Sequence, residues 1–378
     1  MLKVQEFIRS HGDWKEILSN APYFISISED TVFDRDLVLL KYSQTESDFN
    51  EDIVRECRGL ILDAHTFDIV CFPFVKFFNF GEQYAADVDW STAFVSQKLD
   101  GSISKIVNMG NGNFLLSTNG VINAFNCKLG NYIGCEFDSF GDLMLEGFKH
   151  YGIKVSNFPN LFKEGYTYIF ELTSPWNQVV VRWNETKMNF IGCRDNVTGK
   201  EIKFFEHELS NVFDTPKIYP ITNIDECVAA AKELPDNEEG YVVCDANFNR
   251  VKVKSPKYVQ LHYMAGNQNW SIPRIVEIIR TNEVGEYATY FPQFKVAYDV
   301  VNAKYMELIE RVSKFQNEID LVVPAFTNKK DFALWVMDSQ ERKAFQGFAF
   351  QYYNHKVSDA KAWVDGLNDK QIVEYIKV

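Results

Sequence analysis

The sequence predicts an α+β chain in which antiparallel sheets with flanking helices are followed by a smaller all-α region. Two changes of texture carry this expectation. Up to about residue 255, short apolar and aromatic runs alternate with Gly, Asn, Asp and Pro, the pattern of strands joined by tight turns. Beyond "KSPKY" the apolar residues recur at spacings of three and four, which places them along one side of helices.

In chain order, the strand-like runs are "GLILDAHTFDIVCFPFVKFFNF", "NFLLSTNGVI", "YTYIFELTS", "NQVVVRW", "MNFIGCRDNVTG", "EGYVVCD" and "RVKVKS". Helical patterns intervene at "GDLMLEGFKHYG" and at "NIDECVAAAKEL", where Asp225 or Asn223 is placed to cap. Val301, Tyr305, Leu308, Ile309, Val312, Phe315 and Ile319 then fall on one face of a long helix. The segments "KDFALWVMDSQERKAFQGFAFQYYN", "DAKAWVDGL" and "NDKQIVEYIKV" also read as helical. The domain boundary is expected near Ser255 and Pro256, giving domains 1–255 and 256–378.

Composition narrows the function classes. Of 378 residues, 46% are hydrophobic and 15% aromatic, enough to bury large cores and to disfavour long disorder. A formal net charge of −13 argues against bulk nucleic-acid binding, which draws on surplus Lys and Arg, so any polyanion site must be local. The seven cysteines form no CxxC pair and fit a reducing, intracellular setting. The histidines are too scattered for structural zinc. The amino terminus lacks a signal-type apolar core and no run reaches membrane-spanning length, so the expected location is cytoplasmic, with no membrane partner.

The chemistry starts at "KLDGSISK", residues 98–105. Lys98 follows an alternating run, and Asp100, Gly101 and Ser102 come after it. The stretch reads either as an exposed turn or as an amine presented to a phosphate. A lysine attacks phosphorus only when neutral, whereas its ordinary pKa of about 10.4 keeps it charged at neutral pH. Nearby cations or a metal favour the neutral form. Lys252 and Lys254 in "VKVKS" are two apart and share one strand face, which is either a solvated surface or a cationic site. Glu171 and Glu239 stand at strand ends, where a carboxylate can bind a hard cation or accept a ribose hydroxyl. Arg58 in "ECRGL" and Lys76 in "FVKFFNF" add two cations, and a lysine in so aromatic a setting calls for an anionic partner.

Taken in order, these fragments resemble the motifs of the covalent nucleotidyltransferases, which include ATP-dependent DNA and RNA ligases and messenger-RNA capping enzymes. "KLDGS" resembles their nucleophile motif, "YIFELTSP" the third, "EEGYVV" the fourth and "VKVKS" the fifth. "MNFIGCRDNVTG" lies where that superfamily has a strand packed on the nucleotide base. In particular the chain resembles the T-even phage type RNA ligases, the RNA ligase 1 family, through "ECRGL", "KFFNF" and "KSPKYVQLH".

The resemblance implies a nucleotidyltransferase domain, with ATP-grasp-like antiparallel sheets and flanking helices, carrying ATP-dependent RNA ligation. Lys98 is then the nucleophile, with Lys252 and Lys254 neutralising the α-phosphate and favouring the free amine. Arg58 and Lys76 hold triphosphate or ribose oxygens, and Tyr42 lies near an ATP-contacting position. Mg²⁺, or Mn²⁺ in its place, is held near Glu239 and Glu171, unless Glu171 holds the ribose. Asp100 serves the metal or the 3′-hydroxyl, and Tyr258 occupies the place of a functional tyrosine.

The chain departs from the family at "STNG", where Ser117 and Asn119 replace a basic segment used in sealing. A further acid in the carboxy-terminal region is sought at Glu283. The implied partners are RNA ends, among them the nicked anticodon loop of a transfer RNA, and the implied state is a monomer in a cytoplasm, that of a host cell for a viral protein. The rival readings are a DNA ligase or capping enzyme, for which a β-barrel after the fifth motif is implied, and a noncatalytic RNA-end-binding protein, which has no need of a nucleophile.

Overall fold

The structure is a computed structural model, and it describes all residues except 130–134, 236, 260–271, 282–283, 285–294, 327 and 377–378. The strands are β1 (Ile25–Val32), β2 (Arg35–Tyr42), β3 (Arg58–Asp63), β4 (Ile69–Cys71), β5 (Phe78–Asn79), β6 (Phe94–Lys98) and β7 (Ser102–Gly110). They continue as β8 (Asn113–Thr118), β9 (Tyr166–Thr173), β10 (Lys187–Asp195), β11 (Glu201–Ile202), β12 (Ile218–Tyr219), β13 (Gly240–Cys244) and β14 (Arg250–Lys254). They form three sheets, ordered β1-β2-β3-β4, β11-β10-β9-β7-β8 and β12-β6-β13-β14-β5. Pairing is antiparallel except between β14 and β5.

The apolar runs explain which sheets are covered on both faces. In β2 the residues Leu37 to Leu40 are all buried, and their alternation splits them between two cores. Val38 and Leu40 pack with Leu60, Leu62 and the amino-terminal Val4, Ile8 and Leu18. Leu37 and Leu39 pack with Ile61 and, from the second sheet, Val107 and Leu115.

The other face of the second sheet is closed by the helix Phe140–Lys149, which starts where Ser139 and Asp142 cap each other's backbone N–H. That core is dominated by phenylalanine, with Phe148, Phe158, Phe162, Phe170 and Phe190 showing no exposed surface. The helix Ile224–Glu233 covers the third sheet through Cys227 and Ala231. Of its two candidate caps, Asn223 takes the role, its side chain accepting from the Glu226 N–H at 2.9 Å.

The chain divides into two compact units, Met1–Gly266 and Asn267–Val378. Residues just past the expected boundary at Ser255 belong to the first unit, because Ser255, Tyr258 and Val259 are buried there and Tyr258 bonds to Asp100. In the second unit every described element is helical. Its helix Lys295–Val322 buries Val301, Tyr305, Leu308, Val312, Phe315 and Ile319 and leaves Ile309 at the edge of the same core. Glu283 lies outside the described residues. Among the described residues no helix is long and apolar enough to cross a membrane.

Phe148 meets Phe158, Phe162, Phe170 and Phe213 edge-on. Truncation to alanine empties the centre of this core. Phe148→Ala is therefore expected to lower stability by about 3–5 kcal/mol, read from the midpoint of urea unfolding.

Candidate active site

The third sheet assembles the centre by register. Gly240 of β13 lies opposite Lys98 on one side and opposite Lys254 on the other, so the residue before it, Glu239, comes between the two lysines. Glu239 is 4% exposed. Lys98 Nζ donates to its Oε2 at 2.5 Å, and Lys254 Nζ lies 3.5 Å from its Oε1. The tight approach depends on glycine. Gly240 has φ +146°, and a Cβ there would meet the Val253 carbonyl oxygen at 2.3 Å and Lys254 Cα at 2.7 Å.

Alternation along β14 does the rest. Val251 and Val253 are buried, while Lys252 and Lys254 point to the opposite face, with Lys252 Nζ 5.3 Å from the centre of the Phe77 ring. Burial, and then the charges of Lys76, Lys254, Lys98 and Arg58, push Lys252 well below the ordinary lysine range. So many like charges converge only where an anion is to be met.

The second sheet contributes Glu171 on β9, 9% exposed, whose Oε1 accepts the Gly101 N–H at 3.1 Å. Burial raises its pKa to about 7, with Glu239 and Asp100 acting the same way and Lys98 and Arg58 opposing. The first sheet contributes Arg58. Its guanidinium lies over Phe77, 5.1 Å from the ring centre, and its buried Nη1 has no hydrogen-bond partner.

Arg58, Phe77, Lys98, Glu171 and Lys252 line a cavity of 490 Å³. Its wall also carries Phe74, Phe94, Ile191 and Phe248, with Arg250 over the Phe74 and Phe248 rings and Lys203 over Phe94. That mixture of charge and flat apolar surface suits a ligand with a charged part and a flat apolar part. Ile191 comes from "MNFIGCRDNVTG", so that strand does reach the cavity wall. A second cavity of 740 Å³ shares Arg58 and Asn119 with the first and is further lined by Lys41, Tyr42 and Gln44. Lys76 Nζ sits 5.2 Å from each of the Tyr42, Phe49 and Phe78 rings, which brings two of the expected site residues together beside that second cavity.

Other expected residues are placed differently. Asp100 turns its carboxylate away from the cavity: Oδ2 accepts the N–H groups of Val180 and Val181 at 2.9 and 2.6 Å, and Oδ1 accepts the Tyr258 hydroxyl at 2.8 Å. Asp100 and Tyr258 therefore tie the turn after Lys98 to the segment after β9 and to the chain after β14. Ser117 has no exposed surface and lies against Cys71. Asn119, two residues on, reaches the wall of both cavities, and its Oδ1 is buried without a partner.

Among the described residues no group of three or more His, Cys, Asp or Glu side chains converges on one point. Glu171 and Glu239 stand close enough to feel each other's charge. A hard cation held by one or two carboxylates and completed by phosphate oxygens fits that donor set.

A family model described as RNA ligase, of the T4 RNA ligase 1 type, matches residues 56–258, more than half of the chain. The chain belongs to this family. A protein of Autographa californica nuclear polyhedrosis virus, provisionally named a bifunctional polynucleotide kinase/RNA ligase, is 30% identical over 282 residues, covering 69% of this chain and 38% of the viral protein. A protein of Thermovibrio ammonificans, provisionally named an RNA ligase, is 27% identical over 61% of this chain and 59% of its own length. The chain thus spans less than two thirds of either relative. Among solved structures, an archaeal ATP-dependent RNA ligase superposes with a TM-score of 0.48 at 12% identity, covering 83% of each chain.

The raised pKa of Glu171 has a consequence for stability. A carboxyl that ionises at about 4.5 when unfolded and about 7 when folded contributes stability that is full below pH 4.5 and is lost as pH rises through 7. In metal-free buffer the wild type is expected to lose on the order of 3 kcal/mol over that window relative to Glu171→Gln, measured by urea unfolding at pH 4.5 and pH 8.

Proposed function

We propose that this chain is an ATP-dependent RNA ligase that joins an RNA 5′-phosphate to an RNA 3′-hydroxyl. One observation carries the reading: the Lys98 amine is held on Glu239 at a cavity whose wall includes Arg58, Glu171 and Lys252. A binding module needs the cations but not the amine seated on a buried carboxylate.

In the first step the Lys98 amine gives up a proton, for which Glu239 Oε2 at 2.5 Å is the nearest acceptor. Nζ then attacks the α-phosphorus of ATP; the N–P bond forms, the bond to the bridging oxygen breaks, and pyrophosphate leaves. Lys252 neutralises charge on the α-phosphate, and Lys254 holds Glu239 in place. The unpaired Nη1 of Arg58 donates to a phosphate oxygen, which gives a buried N–H the partner it lacks in the free protein.

In the second step an oxygen of the RNA 5′-phosphate attacks the same phosphorus and the lysine leaves as the amine. In the third the 3′-hydroxyl attacks the RNA phosphorus and AMP departs. Glu171 would hold a Mg²⁺ or Mn²⁺ ion, joined by Glu239 once that carboxyl has released its proton, and the ion would supply charge neutralisation at the phosphates. The apolar side chains Ile191 and Phe248 of the cavity wall receive the adenine.

The first unit is read as the adenylation domain, and the helical unit as the part that selects the RNA. The biological setting we infer is repair of broken RNA, such as a transfer RNA nicked in its anticodon loop, by a monomer in the cytoplasm. The resemblance supports this setting.

Incubation with α-labelled ATP and Mg²⁺ is expected to leave an acid-labile label on the wild type and none on Lys98→Ala; labelling of that variant at the wild-type level overturns the assignment. Lys252→Ala and Lys254→Ala are each expected to slow adenylation about a hundredfold or more, the effect of removing roughly 3 kcal/mol of charge stabilisation, as read from single-turnover labelling rates. Parallel trials with GTP and with nicked duplex DNA are expected to give no adduct and no joining; success with either transfers the chain to another branch of the superfamily.

A further inference from the structure

Lys105 ends the stretch that begins at Lys98, yet it belongs to neither the nucleophile turn nor the cavity wall. It lies on β7 opposite Ser117 of β8 and has no exposed surface. Its Nζ donates to the Gly59 carbonyl oxygen at 2.6 Å. Burial holds its pKa below the ordinary value; the Arg58 charge acts the same way and Cys71 opposes. An amine kept out of water is costly, and a methionine of similar length fills such a space without that cost. Its position therefore calls for an account in terms of what it holds.

What it holds is the backbone beside Arg58. Gly59 has φ +82°, and a Cβ there would meet Asn119 Cα at 2.5 Å, so β3 and the turn after β8 touch backbone to backbone at this point. Arg58 and Asn119, the residues on either side of that contact, form the common wall of the two cavities, and each carries a buried polar atom without a partner. The segment 117–119, where the family resemblance leads one to expect a cation, has none; an amine reaches the same place from the facing strand.

We propose that Lys105 is a positioning residue: by holding the Gly59 carbonyl it fixes the contact between β3 and the 118–120 turn and so sets Arg58 and Asn119 to receive phosphate groups. This rests on the RNA ligase reading for the identity of the ligand, ATP in the first step.

The test compares wild type, Lys105→Met, Arg58→Ala and the double variant for the KM of ATP and kcat of adenylation, and for the Kd of ATP by calorimetry. Lys105→Met is expected to raise KM and Kd at least fivefold with kcat within threefold. In the Arg58→Ala background it is expected to add less than half the factor it adds in the wild type, because the part of its effect that passes through Arg58 is already gone and only the part through Asn119 is left. The exchange Lys105→Ser with Ser117→Lys, which returns the amine from across the register, is expected to recover KM to within threefold of wild type. A folded Lys105→Met with wild-type KM and Kd, or an equal loss in both backgrounds, overturns the proposal. If Lys105→Met does not fold, Lys105→Gln is compared in the same way: its side chain is one bond shorter and stops short of the carbonyl, so raised KM and Kd are expected as for Lys105→Met, and wild-type values overturn the proposal. A wild type that binds ATP but forms no adduct sinks the ligase reading alone, since the Lys105 contrast is still read from Kd.

Discussion

The placement of Glu239 between two lysines is the constraint on which the rest of the site depends. A carboxylate buried to this degree is tolerable only when its oxygens are met by charge, and Lys98 and Lys254 meet one oxygen each. Three adjacent strands must hold their register for this to happen, and Gly240 is the residue that lets β13 approach β14 closely enough. Once Lys254 is fixed, the alternation of β14 delivers Lys252 to the same face, and once Lys98 is fixed the turn after it carries the Gly101 N–H to Glu171. The site is thus a consequence of sheet registers more than of any loop.

Its charge balance differs from that of the protein as a whole. On Lys252 the cations Lys76, Lys254, Lys98 and Arg58 act together, while the acids of the site are Glu171, Glu239 and Asp100, the last of them occupied with backbone N–H groups. The local balance is positive although the whole chain carries −13. On the proposed function only the ends of a nucleic acid need enter such a cleft, and a surface that is acidic elsewhere limits nonspecific binding along its length.

How much of this was legible in the sequence varies with the range of the interaction. The paired lysines of β14, the strand ending at Lys98 and the apolar face of the helix Lys295–Val322 follow from local periodicity, and each is found in the expected element. The order of Arg58, Lys76, Lys98, Glu171, Glu239 and Lys252 pointed to a family whose model matches residues 56–258. What was not legible is what crosses between sheets. Asp100 reads as a site acid, but its carboxylate is taken by Tyr258 and by the N–H groups of Val180 and Val181, in the run "NQVVVRW" that reads as a strand and forms none. Nothing in "KLDGSISK" marks Lys105, because what distinguishes it is that it faces Ser117 and touches Gly59, and neither is a sequence neighbour. Residues past Ser255 read as the start of the helical unit, whereas Tyr258 is drawn into the first unit by its bond to Asp100.

Lys98, among several lysines crowded at one cavity, is the one proposed to take AMP. Peptide mapping by mass spectrometry of wild-type protein incubated with ATP and Mg²⁺ distinguishes them. That assignment predicts one adenylated peptide with the added mass on Lys98. An adenylate found on Lys76, Lys105, Lys252 or Lys254, or no adenylated peptide at all, contradicts it.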